Sequence, residues 1–287
     1  MIPITIMKVQ LVFDMNELDF QKQLKNYKRI YGDGYFAFEQ AAETHSLSCL
    51  VELDNTISKL YLLLDVLKSE TSKKFLAYGL LRRLMSIKFS YEAIRDNCHI
   101  DRKEPLNAEE RRDLERDLNM VYINVRGALD NLASIFIHER DSHLYESLEL
   151  AKHKMRLSLF SKDLRKASSF QFWKIVNDEF GAWATEFAIK RDPVAHGLPM
   201  YFVPKFFESE EQREEANSMD DGALSAVLAK DFKTSEDLMA RSESLGVYVP
   251  LFSSDPSEKL MYIYPTISID ISKLVLISNK LEEALRT

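Results

Sequence analysis

The chain has few of the residues that cross-link a fold or interrupt regular structure. Its 287 residues include only 8 glycines, 8 prolines and 2 cysteines. Scarce glycine and proline favour long regular elements over turn-rich architectures. Cys49 and Cys98 lack the spacing of a metal site and lie in helical patterns, so we expect buried free thiols and no disulfide. A reducing cytoplasm is therefore the predicted location.

Long apolar runs and a secretion signal are also missing. No run approaches the roughly 18 apolar residues that a membrane-spanning helix needs, so we predict no membrane partner. The apolar residues 1–13 are interrupted by Pro3, Lys8 and Gln10 and show no basic leader or small-residue cleavage site, which predicts no signal peptide. The net charge of −7 disfavours general affinity for nucleic acids, because that affinity depends on neutralising phosphates.

Apolar residues make up 46% of the chain and recur at helical spacing along most of it. The periodicity predicts helices over residues 16–30, 35–68, 72–98, 107–136, 144–159, 169–190 and 270–285. Asn107 followed by Glu110 is typical of a capping box at a helix start. We expect the long helices to pack as an antiparallel bundle with these residues in its interior: Leu129, Leu132, Phe136, Phe180 and Trp183.

Extended structure is predicted in two places. Residues 2–13 could form a short edge strand, and residues 198–269 form an insertion before the last helix. In the insertion, Met200–Val203 is expected to be extended, and residues 246–252 and 260–269 flank a turn cluster that predicts a hairpin. The acidic residues 208–221 are predicted to be a solvated loop or helix. Residues 1–287 are therefore expected to form a single mainly α domain carrying an inserted loop and β-hairpin subregion.

One short segment, Arg191 to His196, indicates chemistry. In an uninterrupted helix a five-residue step rotates by about 140°, which would separate the two side chains. Pro193 is expected to end that helix near Lys190 and to start a new turn with Asp192 as its N-cap, so that Arg191 and His196 converge at the break. A guanidinium binds a phosphate with two hydrogen bonds, and an imidazole exchanges a proton near neutral pH. The alternative is a surface pair of Arg191 with Asp192, with His196 bonded to backbone.

Basic residues are concentrated just before this segment. Seven Lys or Arg residues lie between Lys152 and Lys174, against Asp163 alone. Such a run forms either a solvated helix face or an RNA-facing patch. If it is a patch, the expected RNA-binding residues are Lys162, Arg165 and Lys166.

Upstream, Arg126 and Asp130 stand four residues apart on a predicted helix. This spacing is typical of an intrahelical ion pair. The same two residues could instead support a site at His196, and the sequence leaves both interpretations open.

Together these segments resemble the HEPN superfamily (higher eukaryotes and prokaryotes nucleotide-binding domain). Its all-helical members carry an Arg, a polar residue, several variable residues and then a His, which in this sequence are Arg191, Asp192 and His196. The run 191–201 is also similar to one in uncharacterised bacterial proteins, in which Ala-His is followed by a Pro-Leu-Tyr-like sequence. The helix around Arg126 and Asp130 is similar to the helix that pairs with the motif in such proteins.

The resemblance implies a helical bundle that often dimerises. Many members are metal-independent endoribonucleases of toxin–antitoxin, defence or RNA-processing systems, and others bind without cleaving. It implies Arg191 and His196 as catalytic residues, support from Asp192, Arg126 and Asp130, and neither a cofactor nor a metal. The expected partners are a second copy, an RNA substrate, and an antitoxin or regulatory protein. Two hypotheses follow: a HEPN-type ribonuclease, or a non-catalytic nucleotide-binding or protein-interaction module.

Overall fold

The computed structural model describes residues 36–99, 102, 104–147, 158–196, 199–202, 207, 209–246, 248, 251–253 and 261–286. For residues 36–42, 163, 167 and 193–196 it describes the backbone alone. The strand predicted over residues 2–13 and the helix predicted over residues 16–30 lie outside this part of the chain.

Helices make up most of the described chain, as predicted. In chain order the elements are α1 (Phe36–Leu63), α2 (Glu70–Lys74), a π-helical segment (Phe75–Leu80), α3 (Leu81–Asn97), α4 (Ala108–Arg140), α5 (Ser142–Ser147), α6 (Lys162–Ala167), α7 (Gln171–His196), β1 (Tyr201–Phe202), α8 (Glu210–Leu228), α9 (Phe232–Ser244), β2 (Leu251–Ser253), β3 (Met261–Tyr262) and α10 (Ile263–Arg286).

The predicted capping box starts the longest of these helices, α4. Asn107 Oδ1 accepts a hydrogen bond from the Glu110 N–H at 2.9 Å, and Glu110 Oε2 accepts one from the Asn107 N–H at 3.0 Å. Two N–H groups that the helix itself leaves unpaired are satisfied in this way. Two residues of the sequence were therefore enough to predict where α4 begins.

Consecutive long helices run antiparallel. Ser72 in α2 donates to the Ile135 carbonyl in α4 at 3.2 Å, whereas Ser90 in α3 donates to Asp117, near the start of α4, at 3.4 Å. Along the chain from α2 to α3, the contacted residues of α4 therefore have falling numbers. The run of α2, the π-helical segment and α3 is antiparallel to α4 and packs against it as one layer.

The last helix, α10, runs parallel to α4. Tyr122 donates to Asp270 at 3.0 Å near the start of α10, and Arg140 donates to the Leu285 carbonyl at 2.8 Å near its end. Tyr264 has extended backbone angles (φ −106°, ψ 125°), so the regular part of α10 begins after it. Because α10 also packs against α1 and α7, it occupies the centre of the fold.

The predicted interior residues are confirmed. Leu129, Leu132, Phe136, Phe180 and Trp183 are each no more than 8% exposed. Phe136 on α4 lies between the rings of two α7 residues, Phe172 at 4.3 Å and Trp173 at 5.3 Å between centroids. The apolar stripes of α4 and α7 thus face each other across the core.

Both cysteines are free and buried, as the sequence predicted. Burial raises the pKa of each thiol, Cys49 and Cys98, to about 12. Two neutral, shielded thiols contribute to packing as small apolar groups.

The strands form a small antiparallel sheet in the order β1, β2, β3. Tyr201 pairs with Ser253, and Phe252 pairs with both Phe202 and Met261. The predicted extended segment is therefore confirmed at Tyr201 and Phe202, and the two hairpin strands pair as predicted. The turn between them lies outside the described residues. The second hairpin strand was predicted to reach Ile269, and this was wrong because the regular helix of α10 begins after Tyr264. The buried residues Ile263, Ile267, Ile271 and Leu274 recur at helical spacing, which a continuous apolar run conceals.

The insertion carries more helix than expected. Its acidic segment forms α8, as one of the two predicted alternatives had it, and α9 was not predicted. Asp231 caps α9 by accepting from the Thr234 N–H at 3.1 Å. Of the helix predicted over residues 144–159, residues 144–147 are helical within α5, and residues 148–157 lie outside the described part of the chain. Leu159, the predicted last residue, lies in a turn closed by the Ser161 N–H and the Ser158 carbonyl.

Candidate anion-binding site

The helix that carries the Arg191 motif does not end where the sequence predicted. The expected break near Lys190 is wrong, because α7 continues through Pro193 to His196. Pro193 lies in the last turn of the helix and lacks only its own N–H, so the one backbone bond it removes is that to the Ile189 carbonyl. The other backbone hydrogen bonds of this turn keep the chain helical beyond Pro193.

Continuity of α7 separates the two motif residues. A five-residue helical step rotates by about 140° and advances about 7.5 Å along the axis. The backbone therefore does not direct Arg191 and His196 of one copy towards a common point, as a break at Pro193 would have done. The His196 side chain itself lies outside the described part of the structure.

Arg191 instead lines a cavity of about 540 Å³ bounded by α4, α6 and α7. Three further cations line the same cavity: Arg126 on α4, and Lys162 and Arg165 on α6. Asp192 also lines it. We call this cavity, with its four cationic side chains, the cationic pocket. It brings together residues that the sequence analysis had named for separate reasons, the motif, the upstream helix and the basic run.

The short helix α6 positions two of the cations. Ser161 caps it by accepting from the Leu164 N–H at 3.3 Å. Lys162 and Arg165 follow three residues apart, a spacing that places them on one side of the helix. Arg165 donates to Asp178 on α7 at 3.4 Å, which ties α6 to α7 across the pocket.

Arg126 is held by the ion pair that its spacing predicted. Its Nη2 lies 3.3 Å from Asp130 Oδ1 one turn further along α4, and both side chains are about one-quarter exposed. The intrahelical interpretation is therefore confirmed, while Arg126 still lines the pocket. Lys166 is exposed on α6 but is not part of the pocket lining.

Arg191 is the most enclosed of the four cations, with its side chain 15% exposed. Its Nη1 donates to Asp192 at 2.9 Å, so the pair that the alternative interpretation expected is present. Its buried Nε has no hydrogen-bond partner in the part of the chain that the structure describes. Buried donors without an acceptor are uncommon in folded proteins. Internal contacts therefore leave part of this guanidinium unsatisfied.

Apolar, small and uncharged polar residues form the rest of the pocket wall. Its apolar surface comes from Leu129, Phe160 and Phe187. On the α7 side the lining residues Gly181 and Ala184 are small and leave room in the cavity. A methyl group added at Gly181 would meet no atom within 4 Å, so this position faces open space. The pocket thus combines four cations with an apolar floor, since Leu129 and Phe187 are no more than 2% exposed.

A buried ion pair behind the pocket fixes this end of α7. Lys190 and Asp270 are 8% and 1% exposed, and the Lys190 Nζ lies 2.8 Å from Asp270 Oδ2. Trp183 and Tyr122 donate to the same carboxylate at 2.8 Å and 3.0 Å. Sequence analysis missed this network. The available signal was one carboxylate, Asp270, inside an otherwise apolar and hydroxyl-rich run.

The pocket suits a phosphate better than a metal. Guanidinium groups bind phosphate oxygens through paired, charge-assisted hydrogen bonds, and several cations on one cavity repel a metal ion. Among the described residues, no group of three or more His, Cys, Asp or Glu side chains is placed to hold a metal.

Within the described part of the chain, no helix is both long enough and apolar enough to cross a membrane. No family model matches the sequence, and comparisons with curated proteins and with solved structures find no significant match.

Proposed function

We propose that this protein binds RNA and that the cationic pocket holds the phosphates of the bound strand. One observation carries the proposal: Arg126, Lys162, Arg165 and Arg191, from three helices, line a single cavity. The whole chain carries a net charge of −7, so the positive charge of the pocket is a local feature. Phosphate affinity depends on such a local concentration of cations more than on the total charge.

The composition of the pocket favours a phosphodiester strand over a single small anion. Three of the four cations have an acidic neighbour, namely Asp130, Asp178 and Asp192, which offsets much of their charge. Lys162 forms no ion pair among the described residues. Lys162 remains on the rim, and the apolar floor offers a surface for a sugar or base. A groove with several cations and an apolar floor is the arrangement that single-stranded nucleic acids use.

We further propose, from the HEPN resemblance, metal-independent cleavage of that strand. His196 would take the proton of a ribose 2′-OH as its oxygen attacks phosphorus. The bond to the 5′-oxygen breaks, a proton passes to that oxygen, and the products are a 2′,3′-cyclic phosphate and a 5′-OH. Arg191 would stabilise the charge that builds on the phosphate. A toxin or defence role in the cytoplasm, with an antitoxin or other regulatory partner, belongs to the same proposal.

The continuity of α7 sets a condition on this chemistry. Because positions 191 and 196 are about 140° apart around the axis of one helix, we propose that the reacting pair is shared. In a homodimer, Arg191 of one copy would meet His196 of the partner subunit. The same continuity favours the second candidate function, a non-catalytic RNA-binding module in which Arg191 holds phosphate and His196 has no chemical role.

Cleavage and binding are separated by one set of assays. Purified protein is incubated with total RNA in chelator, and binding of a labelled single-stranded RNA is measured in parallel for wild type, His196→Ala and Arg191→Ala. We expect His196→Ala to abolish cleavage and to retain binding, with a loss of about 10² to 10⁴-fold for a general acid or base. We expect Arg191→Ala to weaken both. Binding without cleavage by the wild type would support the non-catalytic module, and absence of both in a verified dimer would refute RNA as the ligand.

A further inference from the structure

An arginine outside the cationic pocket, Arg83 on α3, is held by two uncharged side chains. Its Nε donates to Asn131 Oδ1 and its Nη1 to Asn124 Oδ1, both at 3.2 Å. Both acceptors are on α4 and both are uncharged. Its Nη2 donates to no acceptor among the described residues and is not buried. The guanidinium is therefore oriented by two amides and keeps one edge open.

The charge of Arg83 is not offset internally. Within the described part of the chain no carboxylate forms an ion pair with it, whereas Arg126, Arg165 and Arg191 each have an acidic neighbour. A half-buried guanidinium is usually paired with a carboxylate, because burial of an unpaired charge is costly. Two amides orient this cation without neutralising it, which suits a site for an external anion.

Two glycines make room for this arrangement. A Cβ atom at Gly127 on α4 would lie 2.2 Å from the Cζ atom of Arg83, and a Cβ atom at Gly79 would lie 2.8 Å from the Asn131 amide. Glycine inside a helix costs about 1 kcal/mol relative to alanine, so both positions give up helix stability. Gly79 also lies in the π-helical segment Phe75–Leu80, a local geometry that is frequent at functional sites.

The Arg83 guanidinium and the cationic pocket lie on the two sides of the exposed stripe of α4. Arg126, which lines the pocket, directly precedes Gly127, over which Arg83 lies, so the two positions are about 100° apart around the helix. The side chain of Ile123, 42% exposed, and the Arg126-paired carboxylate of Asp130 lie between the two positions on the helix surface. A strand that left the pocket across α4 by this path would meet Arg83.

We propose that Arg83, oriented by Asn124 and Asn131 over Gly127, is a second phosphate-binding subsite for a single-stranded RNA that crosses α4 from the cationic pocket. The subsite rests on the RNA binding proposed above and extends it, because it assigns a residue outside the pocket and a path for the strand. A ligand confined to the pocket does not reach Arg83. An RNA of several nucleotides reaches both.

The test compares two RNA lengths and two neighbouring arginines. Affinity is measured for a trinucleotide and for a single strand of about 12 nucleotides, a length within the range of single-stranded binding sites. The variants are Arg83→Gln and, as a matched control, Arg82→Gln, which removes the same charge from an exposed position beside the Tyr78 ring. We expect Arg83→Gln to weaken the longer strand by about tenfold, the loss of one charged hydrogen bond, and to leave the trinucleotide unchanged.

Salt dependence gives a second readout. For single strands each phosphate contact contributes about 0.7 to the slope of log K against log salt concentration. Arg83→Gln should therefore lower the slope for the longer strand by about that amount. Arg82→Gln should leave it unchanged.

A glycine variant tests the position of the cation separately from its charge. Gly127→Ala places a methyl group where the guanidinium lies, and the flexible end of Arg83 has to move away. We expect a folded protein that binds the longer strand as weakly as Arg83→Gln. Gly222→Ala on α8, another helical glycine, whose added methyl would meet only the Leu238 side chain at 3.2 Å, is the control and should bind as wild type.

The outcomes separate the two proposals. If the wild type binds neither RNA, RNA binding itself fails. If the wild type binds both and Arg83→Gln behaves as Arg82→Gln, the pocket stands and the Arg83 subsite is refuted. Equal loss for both lengths would also refute it, because Arg83 would then act inside the pocket.

Discussion

Lys190 and Asp270 form an ion pair inside the helical core, where the Lys190 Nζ donates to Asp270 Oδ1 at 3.0 Å and lies 2.8 Å from Oδ2. Trp183 and Tyr122 complete the environment of this carboxylate, so α4, α7 and α10 meet at one group. The residue that follows Lys190 is Arg191 of the cationic pocket. The geometry of the pocket therefore depends on a contact that is itself closed to ligands.

Removal of the Asp270 carboxylate should be strongly destabilising. Asp270→Ala leaves a buried ammonium and two buried donors without their acceptor, a change that costs about 3–5 kcal/mol of the free energy of unfolding. Glu179→Ala is the control, because Glu179 pairs with Lys280 at 3.0 Å near the surface, and exposed pairs contribute at most about 1 kcal/mol. Urea denaturation measures the free energy of unfolding of both variants. Equal losses of stability would contradict the prediction that the buried network stabilises the fold more than the exposed pair.

The core of the bundle should tolerate truncation poorly. Leu132, on the inner face of α4, is fully buried, so Leu132→Ala should cost about 2–5 kcal/mol. Leu228, at the end of α8, is 78% exposed, and Leu228→Ala should change stability by no more than about 0.5 kcal/mol. Thermal or denaturant unfolding of the two variants tests the assignment of the core. A near-neutral Leu132→Ala would contradict it.

Stability should fall on mild acidification because of His45. The ring is 1% exposed, lies 2.9 Å from Ser268 Oγ through Nδ1, and burial lowers its pKa from 6.5 to about 4. Between those values the unfolded chain binds a proton that the folded protein does not. The free energy of unfolding therefore decreases as the pH falls from about 6.5 to about 4, by about 3 kcal/mol in total for this group.

A substitution identifies the residue responsible for this pH dependence. His45→Gln removes the titrating group and keeps an amide that can bond to Ser268. We expect the variant to lose less stability than wild type between pH 7 and pH 5, whatever its stability at neutral pH. Parallel pH profiles for the two proteins would assign the acid sensitivity to other groups.

The fold was predictable where local chemistry decides it. The capping box at Asn107 could be predicted because a helix cap involves only three neighbouring residues. The apolar stripe through Leu129 and Leu132 could be predicted because helical spacing repeats within a few turns. The hairpin strand was extended too far, since a fully buried helix near Ile267 has no polar face to mark its period.

The site was predictable in its parts and not in its arrangement. Arg126, Lys162 and Arg191 were each named from sequence, but their convergence depends on how α4, α6 and α7 pack. The helix break predicted at Pro193 was wrong because the energetic cost of a proline depends on its position in the helix, and Pro193 lies in the last turn of α7. No sequence pattern around Arg83 indicates its proposed role, because its position depends on Gly127 on another helix.

RNA binding by matched charge variants tests the central claim most directly. The affinity of a labelled single-stranded RNA is measured by fluorescence anisotropy over a range of salt for wild type, for Arg126→Gln/Arg165→Gln, and for Lys59→Gln/Arg213→Gln, which removes two exposed cations outside the pocket lining. Our account predicts that only the pocket variant loses affinity, by at least tenfold, with a salt slope lower by about 1.4 for two lost contacts. Equal affinities for the two double variants, or no binding by wild type at low salt, would contradict it.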